Sequence, residues 1–111
     1  MATAVRTFTA LADPARCLVV EQLARAPRSA GELAGLAGLS KSAMSRHLRV
    51  LLEAGLVADE RSPDDARVRV FRIRPEGFDA TVQWWADVQA HWQLTLASYA
   101  EHVERGRRDD S

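Results

Sequence analysis

Between Leu39 and Val57 the chain reads Leu-Ser-Lys-Ser-Ala-Met-Ser-Arg-His-Leu-Arg-Val-Leu-Leu-Glu-Ala-Gly-Leu-Val. The side chains here that can do chemistry are hydroxyls, an imidazole and cations. Ser42, Ser45, Arg46 and Arg49 stand at i, i+3, i+4 and i+7, which is one face of a helix. Met44, His47, Leu48 and Leu51 take the opposite face and can anchor the helix to a core. Three basic residues and no acidic one fall between Ser40 and Arg49. Such side chains suit phosphates and base edges, so the chemistry expected is non-covalent recognition of DNA. Arg46 and Ser45 are assigned to base edges, and Lys41, Ser42 and Arg49 to phosphates or base edges. His47 lies on the inner side, where packing or a local hydrogen bond competes with a phosphate contact. A polar helix face is most often only solvated; the missing acids and the neighbouring elements favour DNA here.

A second group of cations, Arg61, Arg67 and Arg69, brackets Ser62-Pro63-Asp64-Asp65-Ala66. They could reach the adjacent minor groove or backbone. The two carboxylates at the tip would repel phosphate, which makes Arg67 the better contact and leaves the tip itself in question. No Ser/His/Asp order, catalytic carboxylate pair or Gly-rich phosphate loop can be assembled, so an enzyme is not expected and no cofactor is implied.

The elements that must position these residues are legible from local signals. Residues 3–12 are weakly helical. Asp13-Pro14 starts a helix, Asp as cap and Pro at the first position, running to about Ala26. Ser29 and Glu32 form a capping box opening a short helix to about Ala37. Gly38-Leu39 makes the turn, Ser40 caps the next helix, and Ala54-Gly55 ends it. Two short helices joined by a Gly turn are a helix-turn-helix with the second as reader. Residues 56–61 and 67–74 read as the strands of a hairpin, a wing directly after that reader. The fold class expected is mainly α with a small β-hairpin, a winged helix-turn-helix within one domain over residues 1–105.

Residues 78–105 contain neither Pro nor Gly. Phe78, Trp85, Trp92 and Tyr99 recur at seven-residue steps, and Val82, Leu96 and Val103 follow the same step offset by four, with Gln89 as the polar exception. Such a stripe is a packing seam. A winged domain of this size cannot cover it alone, so a second copy is the expected cover, giving a homodimer in which Phe8 of the first helix also takes part. An intramolecular core helix is the alternative. Residues 106–111 read as a charged, frayed tail.

The formal net charge is zero, which hides an asymmetry: 12 Lys/Arg against 8 Asp/Glu through Arg74, then 3 against 7. A basic front part and an acidic tail mean that only one part meets a polyanion. A hydrophobic share of 47% permits a core and excludes wholesale disorder. The single cysteine, Cys17, excludes an intramolecular disulfide and reads as a small buried hydrophobe. No signal-peptide pattern and no apolar run of membrane-spanning length is seen, so no membrane partner and a cytoplasmic location are expected.

Taken in order, Leu11-Ala12-Asp13-Pro14-Ala15-Arg16, Gly31-Glu32-Leu33-Ala34, the run from Leu39-Ser40 to Leu48, and Leu51-Leu52-Glu53-Ala54-Gly55-Leu56-Val57 form a specific set. The chain resembles the ArsR-type winged-helix transcriptional regulators over roughly residues 7–102. The resemblance implies a small dimeric repressor on double-stranded operator DNA, released when an inducer binds. Many members sense metals through a Cys-x-Cys in the third helix, and this chain has no cysteine there. Zinc-sensing relatives carry Asp-x-His-x10-His-x2-(Glu or His) in the last helix. His91 and His102 match its histidines, but Gln89 and Arg105 occupy the other positions, with Asp87 one turn before His91. The resemblance therefore points to the branch without a metal site, in which the regulator represses its own operon. Two alternatives stay open: a zinc-type derepressor using the last helix, and a protein-interaction module that has lost DNA binding.

Overall fold

The structure, a computed structural model, describes residues 2–109. The described residues fall into two compact units that divide after Thr81, where the sequence reading takes residues 1–105 as one domain. The reason lies in the apolar side chains beyond Thr81: Val82, Trp85, Trp92, Leu96 and Tyr99 are all exposed.

In the first unit, α1 spans Ala2–Leu11, α2 Pro14–Arg25, α3 Ala30–Ala37 and α4 Lys41–Glu53. The expected local signals act at each start. The Asp13 carboxylate accepts from the backbone N–H groups of Ala15 and Arg16 at 2.8 and 3.3 Å. At α3 the capping box closes both ways: Ser29 Oγ accepts from the Glu32 N–H and Glu32 Oε1 from the Ser29 N–H, each at 3.2 Å. Ser40 Oγ accepts from the Ala43 N–H at the start of α4. Gly38 takes the left-handed conformation, φ 67°, that turns the chain from α3 into α4.

Three short strands follow, two of them where the local pattern expects the hairpin and one made by pairing alone. β1 is Arg28–Ser29, β2 Val57–Arg61 and β3 Arg69–Ile73, ordered β1-β3-β2 and antiparallel throughout. The two-residue β1, on the entry to the α3 cap, is absent from the sequence reading. In the hairpin Asp59 faces Phe71 and Arg61 faces Arg69. Phe71 is buried and belongs with Val19, Leu23, Leu33, Met44, Leu48, Leu51, Leu56 and Val57 to one core. Burying these apolar side chains, at roughly 25 cal/mol per Å2 of apolar surface, is the main force seating α4 on its neighbours.

A 3-10 turn, η1 Pro75–Phe78, leads into α5, Asp79–Asp109. Its Gly77 is obligatory: a Cβ there would come within 2.1 Å of the Gly55 carbonyl oxygen. Phe78, expected to open the seam, sits in this turn and packs against the core of the first unit. α5 also runs on through Gly106 to Asp109, where a frayed tail was expected. Gly106 is followed by Arg107 and Arg108, cations that suit the negative end of the helix dipole. Asp110 and Ser111, the rest of that expected tail, lie outside the described residues. Cys17, expected to be buried, is exposed, its Sγ 3.0 Å from the Leu11 carbonyl oxygen. It stands two residues before the buried Val19, and two helical steps turn it away from the core. Among the described residues no helix is long and apolar enough to cross a membrane.

Candidate nucleic-acid interface

α4 carries the residues singled out from the sequence. Met44, Leu48 and Leu51 are buried, which fixes the helix in rotation. Lys41, Ser42, Ser45, Arg46 and Arg49 are consequently all exposed. Among the described residues Lys41, Arg46 and Arg49 make no ion pair, and the only acid on α4 is Glu53 in its last turn. Their charge is therefore directed at solvent, free to meet a polyanion.

Two arginines that the sequence reading did not single out lock α4 in place. Arg16 of α2 places Nη1 3.1 Å from His47 Nδ1, and its Nε donates to the Ala10 carbonyl. Asp13 Oδ1 lies 3.9 Å from the same Nδ1. Burial would raise the Asp13 carboxyl, yet its two backbone hydrogen bonds and the charges of His47 and Arg16 hold it below the usual value. His47 is thus half-buried and occupied within the protein, on the inner side of the reader. At the far end Arg6 of α1 donates from Nη2 to the Glu53 carbonyl at 2.9 Å, a cation on the negative end of α4. Contacts separated by 31 and 47 residues leave no local signal in a sequence.

The wing differs. Arg61 Nη1 donates to the Ala66 carbonyl at 2.9 Å. Arg67 pairs with Asp65 through both Nε and Nη2, and that pairing holds the Asp65 carboxyl below its ordinary value. Arg69 donates from Nε and Nη2 to Asp59 Oδ2 and lies over the Phe71 ring at 5.3 Å from its centroid. Between α4 and the wing run two adjoining grooves that share Ala30, Ser45 and Arg69. One, about 170 Å3, is floored by Leu48, Leu52 and Phe71 beside Arg49; the other, about 370 Å3, is bordered by Lys41 and Arg67.

In the second unit Trp85, Trp92, Leu96, Tyr99 and Val82 form an exposed apolar series along α5. Val88, three residues after Trp85, shares that face and was not in the expected set. Trp84 lies against Trp85 with ring centroids 6.4 Å apart. Phe8 on α1 is exposed, at 44%. His91, His102 and Asp87 also lie exposed on α5, and Gln83 donates to Asp87 Oδ1 at 2.9 Å. Among the described residues no three His, Cys, Asp or Glu side chains gather where they could hold a metal ion.

A short helix turned outward by its buried neighbours, followed by a hairpin, defines a winged helix-turn-helix DNA-binding protein. Comparison with known proteins sharpens the class. The pattern of bacterial regulatory proteins of the arsR family matches residues 13–59. The HTH-type transcriptional regulator Rv2034 of Mycobacterium tuberculosis is 38% identical over 99 residues, 89% of this chain and 87% of its own length. An ArsR-like transcriptional regulator from Rhodococcus sp. RHA1 superposes with a TM-score of 0.73 at 29% identity, covering 87% of this chain and 89% of that one. The homodimeric winged helix-turn-helix DNA-binding domain of Mb0332 from Mycobacterium bovis shares the fold, with a TM-score of 0.59 at 24% identity over 85% of this chain and 82% of that one. The chain belongs to the ArsR family of transcriptional regulators: it is a DNA-binding protein and not an enzyme.

Proposed function

We propose that the protein is a homodimeric, sequence-specific repressor that acts by occluding its operator. One observation carries the reading: three cations without an ion pair among the described residues stand with the Ser42 and Ser45 hydroxyls on the outward face of a helix whose Met44, Leu48 and Leu51 are buried. Arg46 and Ser45 read base edges in the major groove, and Lys41, Ser42 and Arg49 hold phosphates or further base edges. Arg61, Arg67 and Arg69 act from the wing, and His47 positions the reader from behind. The exposed aromatic face of α5 supports a twofold dimer, with Phe8 as a further apolar contact. The homodimeric state of the Mycobacterium bovis domain is consistent with this assembly. Each reader then enters a major groove, and the half-sites lie about one helical turn apart or a multiple of it.

The test is in vitro selection from a random duplex library at low salt, followed by a gel shift of the enriched sequence. An inverted repeat bound with steep salt dependence is expected, since phosphate contacts release counterions. Failure to enrich any sequence would favour a protein-interaction module instead.

A further inference from the structure

Every wing arginine that faces the reader is already engaged inside the protein, and one of them is engaged in an asymmetric way. Asp59 and Arg69 are diagonal neighbours across the β2–β3 ladder, because Asp59 faces Phe71 and Arg69 stands two residues earlier on the same side. Both the Nε and Nη2 hydrogens of Arg69 go to one carboxylate oxygen. A guanidinium has a second edge, formed by Nη1 and Nη2, and this edge is left over. The Phe71 ring lies beneath the guanidinium, 5.3 Å from its central carbon to the ring centroid. Its surroundings are the two grooves, where Ser45 and Arg49 of α4 stand opposite.

We propose that Asp59 is a specificity-determining residue of DNA recognition. It cancels the charge of Arg69 towards phosphates at large while holding the free edge of Arg69 in one orientation beside Ser45 and Arg49. A mobile arginine at this place would attract any duplex, since non-specific affinity follows net charge. A neutralised but oriented fork gains only where a phosphate or guanine edge arrives in register. Asp59 thus trades affinity for arbitrary DNA against discrimination. The inference rests on the proposed joint facing of α4 and the wing towards DNA.

The test uses the full chain, the duplex enriched by selection, and a scrambled duplex of the same composition. Asp59→Asn keeps the side-chain shape and removes the charge. Its affinity for the scrambled duplex should rise about threefold or more, its salt slope should steepen by about 0.9, and the operator-to-scrambled ratio should fall. Arg69→Lys keeps a charge but has no fork, and should lose operator affinity while binding the scrambled duplex as the wild type does. Circular dichroism melts establish that both variants fold. An unchanged or higher ratio in Asp59→Asn would overturn the inference while leaving the repressor reading intact. A wild type that enriches no sequence would overturn both.

Discussion

The reader and the wing lie side by side and treat charge in opposite ways. Over residues 41–53 the reader has Lys41, Arg46 and Arg49 against a single acid, Glu53, and none of the three cations is paired among the described residues. Over residues 57–73 the wing has four arginines and four acids, and Arg61, Arg67 and Arg69 are each tied to an acceptor of the wing itself. A zero net charge for the whole chain therefore says little about its partners. What counts is where the cations are free, and three of those without an ion pair among the described residues share the outward face of α4. On the proposed reading, the reader supplies the attraction and the wing a shaped flank in which Arg61, Arg67 and Arg69 are already engaged.

The comparison can be broken or sharpened by substitution. The largest effect is expected from Arg46→Ala, which should remove an Arg–base contact of about 1–3 kcal/mol, or roughly 10- to 100-fold in operator affinity, while sedimentation still shows the dimer. Wild-type affinity in that variant would move recognition elsewhere. Next comes the α4 cap. Ser40→Ala should cost about 1 kcal/mol of stability in a denaturant melt, because the Ala43 N–H loses its acceptor. Operator binding should weaken with it. Arg67→Ala should change operator affinity less than about twofold, since its charge is already offset by Asp65 at the exposed tip. A loss as large as that of Arg46→Ala would erase the contrast between the two regions.

The smallest effect concerns acid. The Asp13 carboxyl is held below its ordinary value, so its contribution is present above the unfolded-state value, near 3.9, and is lost as pH falls through the folded one. Asp13→Asn should flatten the fall in stability below about pH 4 in thermal melts. An unchanged acid limb would mean that the Asp13 cap contributes nothing over that pH range.

The proposed dimer stands apart from that contrast but supports it, because one short reader holds too few contacts for a specific site. Trp92→Ala should weaken self-association by about 2 kcal/mol, read by sedimentation equilibrium, if the exposed face of α5 is the interface.

Much of the scaffold was legible because its signals are local. Asp13-Pro14, the Ser29–Glu32 box, Gly38 and Ser40 each act within four residues of themselves, and all four stand where the sequence placed them. The polar face of α4 was legible from its period. The misses share a cause, dependence on a distant partner or on rotation. β1 exists because Arg28 and Ser29 meet Phe71 and Val70. Arg6 and Arg16 matter through the backbone and ring of α4. Asp59 acquires its role from hairpin register. Phe78 fell into step with the tryptophans by spacing alone, whereas the Gly55–Gly77 approach sets it in a turn against the core. Cys17 was judged by its apolar neighbours when its angle around α2 decides.

The most direct measurement is a methylation-interference footprint of the wild-type protein on its selected duplex. The account predicts interference at guanine N7 in two major-groove blocks about one helical turn apart or a multiple of it, with little at minor-groove adenine N3 between or beside them. A single block, or interference confined to the minor groove, would contradict a paired reader helix as the source of recognition.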